Sequence, residues 1–388
     1  MATVTTDRPA ATQSTRMLSL DVLRGITIAL MIMVNNNGGH AWHPFEHSAW
    51  NGWTPTDEVF PTFLFLVGVT TVFSMESRFR RGDSAPTQFV HIIRRFVVLF
   101  LLGLFVNGFP EFPWAHLRIY GVLQRIAICY LLASLVWLGV RTSTRKVAYL
   151  TALAVVCLAG YWALMRLVPV PGYGVPGRDI PLLDKDANLV AWLDRHIFPG
   201  RLYEGTRDPE GLLSDIPSLA TTILGMLTAL WLRTERSLSR KCAGLLAGGI
   251  VGIVLGELWN PWFPINKKLW TSSYVLFAAG VSLLAWALCL WLTDIRGWRK
   301  GWTGFWLVLG TNAIFAYVLS EVLGGLTWFF TVPGAAGHRT ELGESLYQHI
   351  YAFIHPPGLA SLVYSILFLL VCWVPVSVLY RKRIFLKL

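Results

Sequence analysis

The stretch PGLASLVYSILFLLVCWVPVSVLY, residues 357–380, contains no Asp, Glu, Lys or Arg, and Arg381-Lys382-Arg383 follow it directly. As a helix rising about 1.5 Å per residue, it is long enough to cross the roughly 30 Å hydrocarbon core of a bilayer. A basic cluster at the end of such a window is the mark of a span anchored on its cytoplasmic side. Working outward along the chain, comparable windows lie near residues 17–36, 58–77, 88–107, 118–139, 146–167, 214–232, 241–257, 270–292 and 302–323. Hydrophobic residues make up 54% of the chain and charged residues only 14%, against roughly 25% charged in an ordinary soluble domain. So little charge cannot cover a water-facing surface. The sequence predicts an all-α polytopic membrane protein of about ten transmembrane helices.

The net charge of +11 would suit a nucleic-acid partner, but the placement of the bases points to the lipid bilayer instead. They alternate from loop to loop. One set comprises Arg8 and Arg16; Arg78, Arg80 and Arg81; Arg141, Arg145 and Lys146; Arg233, Arg236, Arg240 and Lys241; Arg296, Arg299 and Lys300; and the closing tail. The opposite loops are poorer in excess base: 36–57 has no Lys or Arg, and 168–213 balances its bases with acids. Held over an even number of spans, this positive-inside pattern predicts that both termini are cytoplasmic.

Residues 1–16 read as a polar cytoplasmic tail without the basic-then-apolar order of a cleavable signal peptide, and 17–388 as one membrane domain. Cys129, Cys157, Cys242, Cys289 and Cys372 all lie in or beside spans, which speaks against a secreted disulfide framework. No Asn-x-Ser/Thr sequon occurs, in keeping with a bacterial inner (plasma) membrane. The oligomeric state is open, a homodimer being one form the sequence allows.

Long loops tend to carry function. Here they are 36–57, 168–213 and 324–356, all on the outer side by this topology. Within the spans, ionisable side chains are costly and each is a site candidate: Asp21 with Arg24, the adjacent Arg94 and Arg95, Arg125 after Gln124, and Glu321 beyond Asn312. The plainer account of each is an ion pair that fixes helix packing. The densest polar run, from Asn35 to Gly52, includes Asn36, Asn37, His40, His43, Glu46, His47, Trp50 and Asn51. A histidine accepts a proton near neutral pH, and an asparagine amide can donate to a developing oxyanion. Base plus amide donor is a minimum kit for acyl transfer to an amine or hydroxyl. The spacing of His40, His43 and His47 matches no ligand pattern, so no metal is expected. Trp42, Trp50 and Trp53 also suit an interfacial aromatic belt.

Leu18-Ser19-Leu20-Asp21-Val22-Leu23-Arg24-Gly25, Val34-Asn35, Glu46-His47-Ser48-Ala49-Trp50-Asn51-Gly52 and Asp57-Glu58-Val59-Phe60-Pro61 together resemble the heparan-α-glucosaminide N-acetyltransferase family. Gly121-Val122-Leu123-Gln124-Arg125, Asp208-Pro209-Glu210-Gly211-Leu212-Leu213, the run from Pro264 to Tyr274, Gly310-Thr311-Asn312-Ala313 and Tyr380-Arg381-Lys382-Arg383-Ile384-Phe385 extend the resemblance to nearly the whole chain. It implies a membrane enzyme that draws acetyl-CoA from the cytoplasm and acetylates a glucosamine amine on the far side. The active-site histidine falls on His47 and the neighbouring asparagine on Asn35, although Asn36 and Asn37 offer other placements of a one-residue gap. The lysosomal members carry an N-terminal lumenal extension and a further span, so this sequence is closer to a bacterial form.

Acetyl-CoA carries phosphates that cannot cross a bilayer and a long thin arm that can reach through a bundle. Arg24, Arg94 and Arg95, in the inner halves of their spans, are the expected phosphate contacts, because guanidinium fits phosphate bidentately. Arg125 joins this donor-binding set. Gln124, Lys268, Trp270 and Asn312, with Trp50 and Asn51, are assigned to the acetyl or sugar pocket; interfacial anchoring is the competing role for Lys268 and Trp270. Asp208 and Glu210 are expected to shape the turn around Pro209. An O-acyltransferase acting on a sugar hydroxyl or lipid would use the same groups. A sugar transporter would share the spans, but the sequence lacks the internal hydropathy symmetry of many transporter repeats.

Overall fold

The structure, a computed structural model, describes residues 17–198, 200–333 and 338–386; the expected tail 1–16 lies outside them. Among the described residues, nine helices are long and apolar enough to cross a membrane. They are α1 (Leu18–Asn35), α2 (Val59–Arg80), α3 (Ala85–Gly108), α4 (Val122–Val140), α5 (Lys146–Leu167), α7 (Asp215–Leu232), α8 (Leu238–Trp259), α9 (Ser272–Leu290) and α13 (Pro357–Arg381). Short helices α6 (Leu189–Ile197) and α12 (Leu342–Tyr351) lie in the long loops, the latter after a hairpin of β1 (Thr331–Pro333) and β2 (Arg339–Glu341). In hydrocarbon a helix satisfies its own backbone, so apolar length alone fixes these elements. Their polar starts are capped locally: Ser84 accepts from the Thr87 amide at 3.3 Å ahead of α3, and Asn188 from the Ala191 amide at 2.9 Å ahead of α6.

One expected span is not continuous. The window 302–323 divides into α10 (Thr303–Thr311) and α11 (Ala313–Phe329), bent by 83° at Asn312; counted as one broken span, the pair brings the total to ten. Asn312 leaves helical geometry at φ −122°, ψ 41°. Its side chain replaces the lost helical bonds, donating to the Ile384 carbonyl at 3.1 Å and accepting from the Leu386 amide at 3.0 Å. The bend falls at the residue whose side chain is held by the tail. Asn312 is therefore a hinge fastened to the tail that follows α13, and not the pocket residue expected of it.

Association of helices in lipid depends on close packing, which small residues permit. Between α2 and α7 the approach is closest at Gly68 and Gly225: a Cβ on Gly68 would meet the Thr222 carbonyl oxygen at 1.8 Å, and one on Gly225 the Phe65 carbonyl oxygen at 2.0 Å. This crossing brings the turn preceding α2 beside the turn preceding α7, and both border the cavity described next.

Backbone cannot yield to an added methyl as a flexible side chain can. Gly225→Ala is expected to destabilise the protein by about 1–3 kcal/mol through overpacking. Gly248→Ala on α8, whose Cβ would have its nearest neighbour at 3.5 Å, should change stability little. Thermal unfolding of both variants in detergent checks the contrast.

Candidate functional site

At one end of the bundle, the C-terminus of α1, the loop 36–57 and the segments around Arg118, Glu204–Glu210 and Lys267–Lys268 enclose a polar cavity of about 450 Å³, with α3 and α11 completing the wall. Its geometry begins with the sequence Thr54-Pro55-Thr56-Asp57. Proline in the first turn and reciprocal bonds between Thr54 and Asp57 form a capping box. Thr54 Oγ1 donates to the Glu46 carbonyl at 2.6 Å and Thr56 Oγ1 to the Pro44 carbonyl at 3.0 Å, fixing the turn that carries His47.

His47 Nδ1 lies 2.7 Å from Asp57 Oδ1, and Asp57 Oδ2 accepts the Ser48 and Thr54 amides at 3.0 Å each. An ionised carboxylate only accepts, so Nδ1 carries the proton and donates it to Asp57, leaving Nε2 as the ring's acceptor, which Lys267 Nζ approaches. An acid that fixes tautomer and ring orientation in this way is the partner a histidine base needs. The Asp57 side chain is 1% exposed while that of His47 is 41% exposed, so the anchor is dry and the reactive edge is open to the cavity. Lys267 Nζ stands 3.0 Å from His47 Nδ1, 3.3 Å from Nε2 and 3.7 Å from Asp57 Oδ1. Burial lowers the Lys267 pKa below the usual lysine value, against the opposing charges of Asp57 and Glu210.

The facing walls hold two further networks. Arg118 donates to both Asp208 oxygens at 2.8 and 2.5 Å and to Glu210 at 2.7 Å. Burial disfavours its charge, yet the bonds and charges of these acids hold it well above the ordinary guanidinium value. Lys268 pairs with Glu204 at 2.7 Å, and Glu204 also accepts from Arg207 at 2.6 Å. On α1, Asn35 Nδ2 donates to Glu321 Oε1 at 3.1 Å.

Of the residues singled out from sequence, His47, Asn35 and Lys268 line the cavity. Trp50 and Asn51 serve the loop behind it: the Trp50 indole donates to the Leu183 carbonyl at 2.7 Å, and Asn51 Oδ1 accepts from Asn266 at 3.1 Å. Gln124 is buried beneath Gly103, one layer behind the lining. Trp270 is buried too, its indole donating to Thr221 at 3.1 Å. Its left-handed φ of 52° is uncommon for a bulky residue and turns the chain between Lys267 and α9.

The four expected donor contacts do not converge on the cavity. Arg125 is fully buried and engaged by Asp215 at 3.3 Å, the Gly211 carbonyl at 3.1 Å, the Ser214 hydroxyl and the Trp270 ring. Arg24 donates to the Gly310 carbonyl at 3.0 Å and lies 3.4 Å from Asp21. Arg94 is exposed on the outside of α3, whereas Arg95 turns inward over the Tyr130 ring at 4.4 Å. Neighbours on a helix diverge by about 100°, so these two cannot close on one phosphate as a pair.

Asp57, Lys267, Arg118 and Glu204 were missed by the sequence reading. The Thr-Pro-x-Asp cap was the available signal for Asp57. For Lys267 the signal was its place beside Lys268, with the strained turn deciding which of the two meets His47. Arg118 and Glu204 pair with residues far along the chain and carry no local signature.

A family model described as "Heparan-alpha-glucosaminide N-acetyltransferase, catalytic" matches residues 16–243. Two curated relatives, both named heparan-alpha-glucosaminide N-acetyltransferase, from Mus musculus and Homo sapiens, are each 29% identical to this chain over 422 aligned positions. The alignment covers 96% of this chain and 60% of each relative, so the chain spans well under two thirds of their length.

The turn that presents Glu210 is held by Asp194 on α6, whose Oδ1 accepts the Leu212 amide at 3.1 Å. Burial raises the Asp194 pKa from about 3.8 to about 7, against that hydrogen bond. A folded value above the unfolded one gives a contribution to stability that is full below about pH 4 and lost as pH rises to 7. Asp194→Asn should remove this part of the profile, so the wild-type-minus-variant difference in unfolding free energy falls between pH 4 and 7 and is flat above. Denaturation midpoints measured across that range check the sign.

Proposed function

Since this chain belongs to the heparan-alpha-glucosaminide N-acetyltransferase catalytic family, we propose that it moves the acetyl group of acetyl-CoA to the amine of a glucosamine-type sugar across a bacterial inner membrane. The observation that carries the reading is the His47–Asp57 pair, 2.7 Å apart, at the wall of a polar cavity that also holds Lys267. Acyl transfer to an amine needs a base for the attacking nitrogen and a positive group for the oxyanion, and these three side chains supply both.

In this reading both termini and the basic loops face the cytoplasm, where acetyl-CoA is supplied, and the cavity faces outward. Arg95 is the strongest donor-phosphate candidate of the inner set, because its Nε is buried without a hydrogen-bond acceptor among the described residues. The donor's arm threads the bundle and delivers the thioester to His47. The amine nitrogen attacks the carbonyl carbon; its proton passes to His47 Nε2; the C–N bond forms and the C–S bond breaks, releasing the thiolate of CoA, which takes up a proton. Lys267 stabilises the oxyanion between these events. Asn35 has given one amide hydrogen to Glu321 and keeps the other for a substrate oxygen.

His47→Ala should lower kcat for glucosamine acetylation by roughly 10²–10⁴, the usual scale for loss of a general base. Asp57→Asn should cost up to about 10⁴-fold, the scale for an orienting acid whose loss leaves the histidine in the wrong tautomer. Assays with labelled acetyl-CoA on purified protein read both, and undiminished transfer by His47→Ala would remove this histidine from the mechanism. Lys267→Met should reduce kcat by about 10² or more while leaving the KM for acetyl-CoA nearly unchanged. An effect confined to that KM would instead assign Lys267 to donor binding.

A further inference from the structure

The acidic groups of the cavity differ in what they hold. Glu204 is paired with Lys268 and Arg207, Glu210 with Arg118, and Asp57 with His47. Glu321 is the exception: it lines the same cavity, yet no ion pair joins it to any described Lys, Arg or His. Its partners are neutral, the Asn35 amide at 3.1 Å and the Tyr317 hydroxyl one turn earlier on α11. The nearby guanidinium of Arg118 is committed to Asp208 and Glu210.

We propose that Glu321 forms a subsite for a cationic group of the acceptor, the ammonium of an amino sugar, using its carboxylate in the cavity that His47 also lines. A carboxylate that faces the cavity with neutral donors only gains most from an ammonium, because charge-assisted bonds are about twice as strong as neutral ones. A hydroxyl in the same place would offer a neutral bond. The arrangement also orders the chemistry. The cavity that carries Glu321 on its α1–α11 side is also lined by the base, His47. The sugar thus binds as a cation at Glu321 and becomes nucleophilic when His47 removes one proton from its nitrogen. Asn35, held by Glu321, is a positioning residue for the same sugar.

The identity of the probe rests on the acetyl-transfer reading; the subsite itself does not, and binding separates the two. Calorimetry on the purified protein in detergent, without acetyl-CoA, compares D-glucosamine with D-glucose near neutral pH. Wild type should bind glucosamine roughly tenfold to a hundredfold more tightly, the range for a hydrogen bond to a charged group. Glu321→Gln should abolish that preference, Glu321→Asp should retain part of it, and acetyl-CoA binding to both variants should match wild type and so report that they are folded. Equal affinity of wild type for the two sugars overturns the proposal, as does an unchanged preference in a Glu321→Gln variant that binds acetyl-CoA normally. Preference for glucosamine without any acetyl transfer would sustain the subsite and sink the proposed reaction. Transfer with no dependence of the glucosamine KM on Glu321 would do the reverse.

Discussion

One end of the helix bundle is organised around one buried carboxylate, Asp57. Asp57 must be solvated by something other than water, and the loop ahead of α2 is folded to do it: two backbone amides bind one oxygen, and His47 and Lys267 approach the other. A charged acid deprived of these donors would be costly. The same demand that shapes the loop therefore fixes the tautomer of His47, the position of Lys267 and the open face of the imidazole. Structure and chemistry share one cause here, and it is local: four residues of capping sequence at the threshold of a transmembrane helix.

The cavity is electrically structured as a consequence. Lys267, from the turn before α9, stands beside His47, and the Glu321 carboxylate lies against Asn35 on the α1–α11 side, with the Arg118 and Lys268 networks closing the perimeter. Because these networks are internally paired, they contribute shape and little free charge. What remains for a substrate is a base and an acid lining one cavity, which suits a molecule that enters as a cation and must lose a proton before it reacts.

Much of the fold was legible because the bilayer allows few solutions: long uncharged windows had to be helices, and nine of them are. Where the sequence misled, a polar side chain had overridden the apolar pattern. Asn312 looks harmless inside a hydrophobic window, yet its two bonds to the tail divide that window into α10 and α11. The site was partly legible. His47, Asn35 and Lys268 line the cavity, standing in or at the edge of loops that read as polar. The buried arginine Arg125 was misread because sequence gives its depth without its partners; Asp215 and Gly211 lie some ninety residues away along the chain. Spacing alone also could not reveal that Arg94 and Arg95 look in different directions.

The bend at Asn312 has a mechanical meaning. Helix α11 begins at a joint clamped to Ile384 and Leu386 and, nine residues later, holds Glu321 against Asn35. It is a stiff rod of roughly 13 Å between these points, with the closing segment of the chain gripping one end and the cavity the other. Whatever shifts that segment turns the rod, and a turn of the rod slides an acid along the wall where the substrate would sit. Ile384 and Leu386 are thus joined through a single helix to the wall of the pocket, although they lie at the far end of the lever.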